Sequence, residues 1–156
     1  ITNIDNEVEL LRSAMRRGCD AVGSAPYVDP DGSANIKHVF DIAQEFNCDV
    51  DFHLDYHLGS DKPSLLPVVL EETQRRGWQG RVCLGHMTAL SSLPPEELST
   101  VAKNLKTAGV SVLALPASDI YMMARADTFD KRRGVCPVHR LAEEGVCAAF
   151  ATNSVQ

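Results

Sequence analysis

Residues 48–57 read CDVDFHLDYH. The run is short, its apolar residues Val50, Phe52 and Leu54 alternate with polar ones, and it ends in His53, Asp55 and His57 at a spacing of two. A strand of a parallel sheet is covered on both faces and shows up as a near-continuous apolar run rather than a clean alternation. Residues 48–55, with Val50, Phe52 and Leu54 as their apolar positions, are read with such strands as a buried parallel strand with a polar tip. Four other stretches have the same character: DAVGSA (20–25), RVCLGH (81–86), VSVLALP (110–116) and VCAAFAT (146–152). Their centres lie about 30 residues apart, the length of one strand–helix unit.

Helical patterns fill the intervals. Residues 5–18 carry Val8, Leu11 and Met15 at helical spacing, with Asp5 expected to cap the start and Gly18 the end. Residues 33–47 carry Ile36, Val39, Phe40 and Ala43, with Ser33 as the expected cap. Residues 64–77 hold Pro67 in the first turn and close on two arginines and Gly77. Residues 94–109 begin with prolines and two glutamates and close on Lys106 and Gly109, and a shorter helix covers 138–145. The fold class is α/β, built from parallel (β/α) units. An open doubly wound sheet and part of a TIM barrel both satisfy this pattern. A full barrel needs about 200 residues or more, whereas this chain has 156. No glycine-rich phosphate loop follows any strand, which weakens nucleotide-binding alternatives.

Bulk composition narrows the function classes. Of the residues, 44% are hydrophobic and 23% charged, ordinary values for a globular protein. A net charge of −6 argues against nucleic acid as a partner. No apolar run reaches the ~18 residues of a membrane helix, so no membrane role is expected. The opening ITNIDNEVE lacks a signal-peptide pattern. The five cysteines are odd in number and form no C-x-x-C pair, so most of them read as reduced apolar packing groups of an intracellular, cytoplasmic protein.

In parallel strand–helix folds, chemistry gathers at the carboxyl ends of the strands. The second strand ends in His53, Asp55, Tyr56 and His57, and the third in His86. The fourth ends near Ser118 and Asp119, and the fifth in Thr152 and Asn153. Each strand-end histidine is either a hydrogen-bonded structural residue or a metal ligand. Asp55 either holds a backbone amide or assists proton transfer. Asp119 is the other carboxylate near the mouth and is assigned to substrate binding or, like Asp55, to proton transfer. Arg125 anchors the segment after the fourth strand or meets an anionic substrate group. His38 and His139 lie on helices and are expected to face solvent, and Cys83 is expected in the core.

At these residues the chain resembles the amidohydrolase superfamily, and within it the cytosine deaminase branch. The stretches GCDAVGSAPY, VDFHLDYH, RVCLGHMTAL, ARADTFDKRRGV and LAEEGVCAAFATNSV occur in the order that branch uses. The resemblance implies a barrel of eight units with a metal at its mouth, of which residues 1–156 form the C-terminal part, about strands four to eight. It implies a divalent metal, zinc or iron, in the full-length protein. His53 takes the place of the fifth-strand ligand, and His86 that of the sixth-strand histidine near the metal or its water. Asn153 stands where the family has an aspartate ligand, and Tyr56 where cytosine deaminases have a proton-shuttling glutamate. No His-x-His pair occurs, so the metal site is incomplete in this chain. The implied activity is hydrolysis of a C–N bond in a nitrogenous ring or cyclic amide, by a homo-oligomer acting on a small-molecule substrate. The fragment alone is expected to be inactive. The alternative reading is a non-catalytic relative that binds a small molecule or a partner.

Overall fold

The computed structural model describes residues 6–58 and 62–153. In chain order the elements are α1 (Glu7–Arg16), β1 (Ala21–Ser24), α2 (Gly32–Phe46), β2 (Asp49–Leu54), α3 (Leu66–Arg76), β3 (Val82–His86), α4 (Pro95–Thr107), β4 (Val110–Ala114), α5 (Pro116–Met122), α6 (Val138–Glu143) and β5 (Ala148–Phe150). Short 3-10 turns follow β1 at Pro26–Val28 and β3 at Thr88–Ser92.

The five strands form one parallel sheet in the order β1-β2-β3-β4-β5. A doubly wound sheet reverses its strand order at a switch point. Here every connection advances one place in the same direction. The sheet is therefore an arc of a barrel, and the open alternative is excluded.

The two faces of the arc differ. Val50, Phe52 and Leu54 of β2, Val82 and Leu84 of β3, and Val110, Val112 and Ala114 of β4 are buried. They pack with Ile36, Val39, Phe40 and Ala43 of α2 and with Val69, Ala102 and Leu105 of α3 and α4. The Phe40 and Phe52 rings lie 5.9 Å apart across this interface. The other face carries a register row of Gly23, Asp51, Cys83 and Ser111. Asp51 is exposed, and Cys83 and Ser111 are only half-buried. In a closed barrel this face is the interior. The expectation that Cys83 belongs to the core is corrected accordingly, because strand alternation turns it away from the helices. Gly23 is needed for close approach: a Cβ there would lie 1.9 Å from the Asp51 carbonyl oxygen.

Local signals explain most helix ends. Pro67 sits in the first turn of α3, and Gly77 closes it at φ 71°. α2 starts earlier than its cap motif suggested. Asp31, not Ser33, is the cap, accepting a 2.9 Å bond from the Ala34 amide. The expected α1 cap, Asp5, lies outside the described residues. β1 and β5 are shorter than expected, and α5 was not anticipated. Seven residues are too few to show a helical period, although Pro116 at the start and Asp119 in the first turn are helix-opening choices.

Cys48 and Cys136 are buried, whereas Cys19 and Cys147 are exposed. Burial pushes the Cys136 thiol up to about 12. Among the described residues no helix is long and apolar enough to cross a membrane. His38 and His139 are exposed, as expected.

Candidate functional site at the carboxyl ends of the strands

β2 and β3 deliver the central histidines. His53 pairs in register with Gly85, one residue before His86. Strand alternation would send His86 toward the helices, with Val82 and Leu84. Its backbone instead turns left-handed, with φ 70°, and Met87 follows at φ 52°. Non-glycine residues in this region cost about 1–3 kcal/mol each, and such strain collects at functional sites. The ring of His86 thereby meets His53, with His53 Nδ1 and His86 Nε2 2.9 Å apart.

The far side of His86 is held by α5. Its Nδ1–H donates to Asp119 Oδ1 at 2.6 Å. Asp119 is fully buried and His86 is 4% exposed. Asp119 Oδ2 has no hydrogen-bond partner among the described residues. The three residues form a continuous chain, Asp119–His86–His53, each link spanning 33 residues of sequence. Burial, and then the neighbouring His86, lower the pKa of His53 from its ordinary 6.5. His53 is therefore neutral near pH 7.

Tyr56 walls the chain. Its ring centre lies 4.8 Å from that of His86, and the Tyr27 ring lies 5.8 Å from Tyr56 and 6.5 Å from His86. The Tyr56 hydroxyl is buried without a partner among the described residues. Burial, then Asp119 and Tyr27, raise its pKa above 10. The phenol stays protonated at neutral pH, a hydrogen-bond donor rather than a base. Tyr27 was not singled out from the sequence. It follows the first strand directly, and asking what that strand ends on would have found it.

Asp55 sits beside this group with its carboxylate already engaged. Oδ1 accepts from the Leu65 amide at 3.0 Å, and Oδ2 accepts from Ser64 Oγ at 2.5 Å. It fastens the loop after β2 to the start of α3. His57 lies in that loop, 3.9 Å from Asp55 Oδ1, and neither ring nitrogen has a hydrogen bond among the described residues. Asn153, exposed and at φ 60°, donates to Ser118 Oγ of α5 at 3.1 Å. Arg125 lies after α5, stacked 4.6 Å over the Tyr121 ring. It borders a cleft of about 590 Å³ shared with Tyr56, Met122 and Asp127. His53, His86, Tyr56 and Asp119 are thus one cluster, while Asp55, Asn153 and Arg125 ring it.

Among the described residues no group of three or more His, Cys, Asp or Glu side chains is arranged to hold a metal. His53, neutral and on the barrel-interior face, fits the part of one imidazole ligand. Asn153 adds a neutral amide already bonded to Ser118. The donors present fit one ligand position, not a complete site.

The chain belongs to the amidohydrolase family, whose model matches residues 6–152. Over 148 residues it is 27% identical to a pterin deaminase of Rhizobium rhizogenes, covering 94% of this chain and 33% of that protein. It superposes on a 5-methylcytosine deaminase from Klebsiella pneumoniae, liganded with phosphonocytosine, with TM-score 0.88 and 31% identity. That match covers 100% of this chain and 38% of the deaminase. An N-isopropylammelide isopropylaminohydrolase from Burkholderia multivorans shares the fold at TM-score 0.76 and 22% identity, over 97% of this chain and 37% of that one. The chain spans 33–38% of the length of these relatives.

Proposed function

We propose that the whole protein is a hydrolase that deaminates a nitrogenous ring, and that this chain is the C-terminal portion of its single catalytic barrel. The observation that carries the reading is the Asp119–His86–His53 chain at the strand ends. The likeness to two deaminases of nitrogen heterocycles supports it. A flat ring with adjacent N–H and C=O groups suits a site with a phenol donor and imidazoles.

In this reading His53 is one ligand of a divalent metal, zinc or iron, and Asn153 stands at a weakened ligand position. The metal, when bound, supplies Lewis acidity and an activated water. His86 contacts the reacting water or the developing charge. Tyr56 donates its O–H to the substrate or to an oxyanion. Arg125 receives an anionic substituent of the substrate, and Asp55 keeps the loop in place. The protein acts as a cytoplasmic homo-oligomer, and residues 1–156 alone are inactive because they lack a full ligand set. The test is ammonia release by the whole, metal-loaded protein from pterins, cytosines and aminotriazines. Release from one of these rings is expected, and silence across the panel overturns the proposal.

Tyr56 and Asn153 replace two acids of the cytosine deaminase pattern, which favours a second reading as a non-catalytic binder. Turnover that vanishes in His86→Ala rejects that reading.

A further inference from the structure

The buried line of Asp119, His86 and His53 contains two nitrogen-to-acceptor contacts, and their order is informative. A carboxylate only accepts hydrogen bonds. The 2.6 Å contact with Asp119 Oδ1 therefore places a hydrogen on His86 Nδ1. A neutral imidazole carries one N–H and one lone pair. With its hydrogen on Nδ1, His86 offers a lone pair at Nε2. The 2.9 Å contact with His53 Nδ1 then needs a hydrogen on the His53 side. That leaves the lone pair of His53 on Nε2, the nitrogen outside the line.

We infer that Asp119 is a positioning residue that sets the tautomers of both histidines and so makes His53 Nε2 a lone-pair donor. Asp119 acts without touching His53. The surroundings favour the arrangement. Asp119 is fully buried, so no water competes for Oδ1. Tyr56 at 4.8 Å and Tyr27 at 6.5 Å pack against the His86 ring. Turning that ring over would set a carbon against Asp119 and leave a buried acceptor unpaired. A carboxylate that orients a ligating histidine is a common arrangement behind metal ligands. Here a second histidine is interposed. The consequence for metal binding rests on the reading of His53 given above, whereas the tautomer assignment does not.

The experiment is long-range proton–nitrogen correlation spectroscopy on the whole, metal-free protein labelled with 15N-histidine. His53→Gln and His86→Gln supply the assignments. Both rings are expected to carry hydrogen on Nδ1 and a pyridine-like Nε2. In Asp119→Asn the amide can present either its oxygen or its NH2 group, so His53 should show a mixture of tautomers. Zinc affinity, by chelator competition, should fall about 10- to 100-fold in the same variant. A wild-type His53 with hydrogen on Nε2 overturns the inference even if the variant does not fold. So do His53 nitrogen shifts that are unchanged in a folded Asp119→Asn. An intact tautomer pattern in a protein that neither binds metal nor turns over a ring amine sinks the proposed function and leaves this inference standing.

Discussion

Two polar clusters in this molecule each have a buried centre and are differently finished. One joins α2 to α3 on the helix side. Glu72 is 3% exposed and takes bonds from Arg75 at 2.5 Å and Arg76 at 2.6 Å. Arg76 also donates to Asp41 and Gln44, each at 2.6 Å, and packs over the Phe40 ring. The other cluster is the mouth. There the Tyr56 hydroxyl, both His57 nitrogens and Asp119 Oδ2 are buried without partners among the described residues. Left-handed backbone at Asp55, His86, Met87 and Asn153 adds strain. A network that serves the fold saturates its polar atoms, because each buried orphan costs about 1–3 kcal/mol. A network that serves a ligand leaves atoms for the ligand to meet.

That contrast can be broken by mutation, and the largest effect belongs to the mouth. His86→Ala should lower kcat/KM of the whole protein by about 1,000-fold, the range for a lost contact to developing charge. Circular dichroism should remain unchanged. A variant with wild-type turnover would remove His86 from the chemistry.

Glu72→Ala should do the reverse. It leaves Arg76 buried with fewer partners and costs about 3 kcal/mol in urea unfolding, with turnover retained at a permissive temperature. The same residue gives a pH signature. Burial raises the Glu72 pKa, but the hydrogen bonds from Arg75 and Arg76 outweigh it and hold the group below 4.5. A depressed carboxylate contributes its stability above the unfolded value and loses it as pH falls through the folded one. Wild-type stability should therefore drop below about pH 4.5, and Glu72→Gln should lack that part of the drop. An identical acid profile in the variant would show that the pair is not felt.

Tyr56→Phe removes a hydroxyl that has no partner among the described residues. Stability should hold or rise by up to about 1 kcal/mol, while turnover falls about 10-fold, one hydrogen bond's worth in the transition state. A loss of stability would mean that the hydroxyl has a partner in the whole protein. The smallest effect is expected at His38→Ala and His139→Ala, both exposed. Each should shift unfolding by less than about 0.5 kcal/mol.

The strands around Val50, Leu84 and Val112 were legible as apolar runs, and the motif order pointed to the family before any coordinate. His53, His86 and Asp119 were recognisable as strand-end residues. Their pairing was not, since each link spans one full strand–helix unit. Asp55 shows the converse. Its position at a strand tip suggested chemistry, but its two oxygens bond Ser64 and the Leu65 amide across a loop whose path no periodicity reveals. Cys83 read as core because its neighbours are apolar, and alternation within β3 decided otherwise.

The sequence by itself determined the parallel (β/α) rhythm and which residues arrive at the mouth. Those properties are local: they rest on the period of apolar side chains and on where each run ends. Only the tertiary structure decided the single winding direction, the left-handed turn that brings His86 to His53, and the burial of Asp119 behind it. Those depend on packing between elements a whole unit apart, where hydrogen-bond geometry is set by the sheet and not by neighbours in the chain.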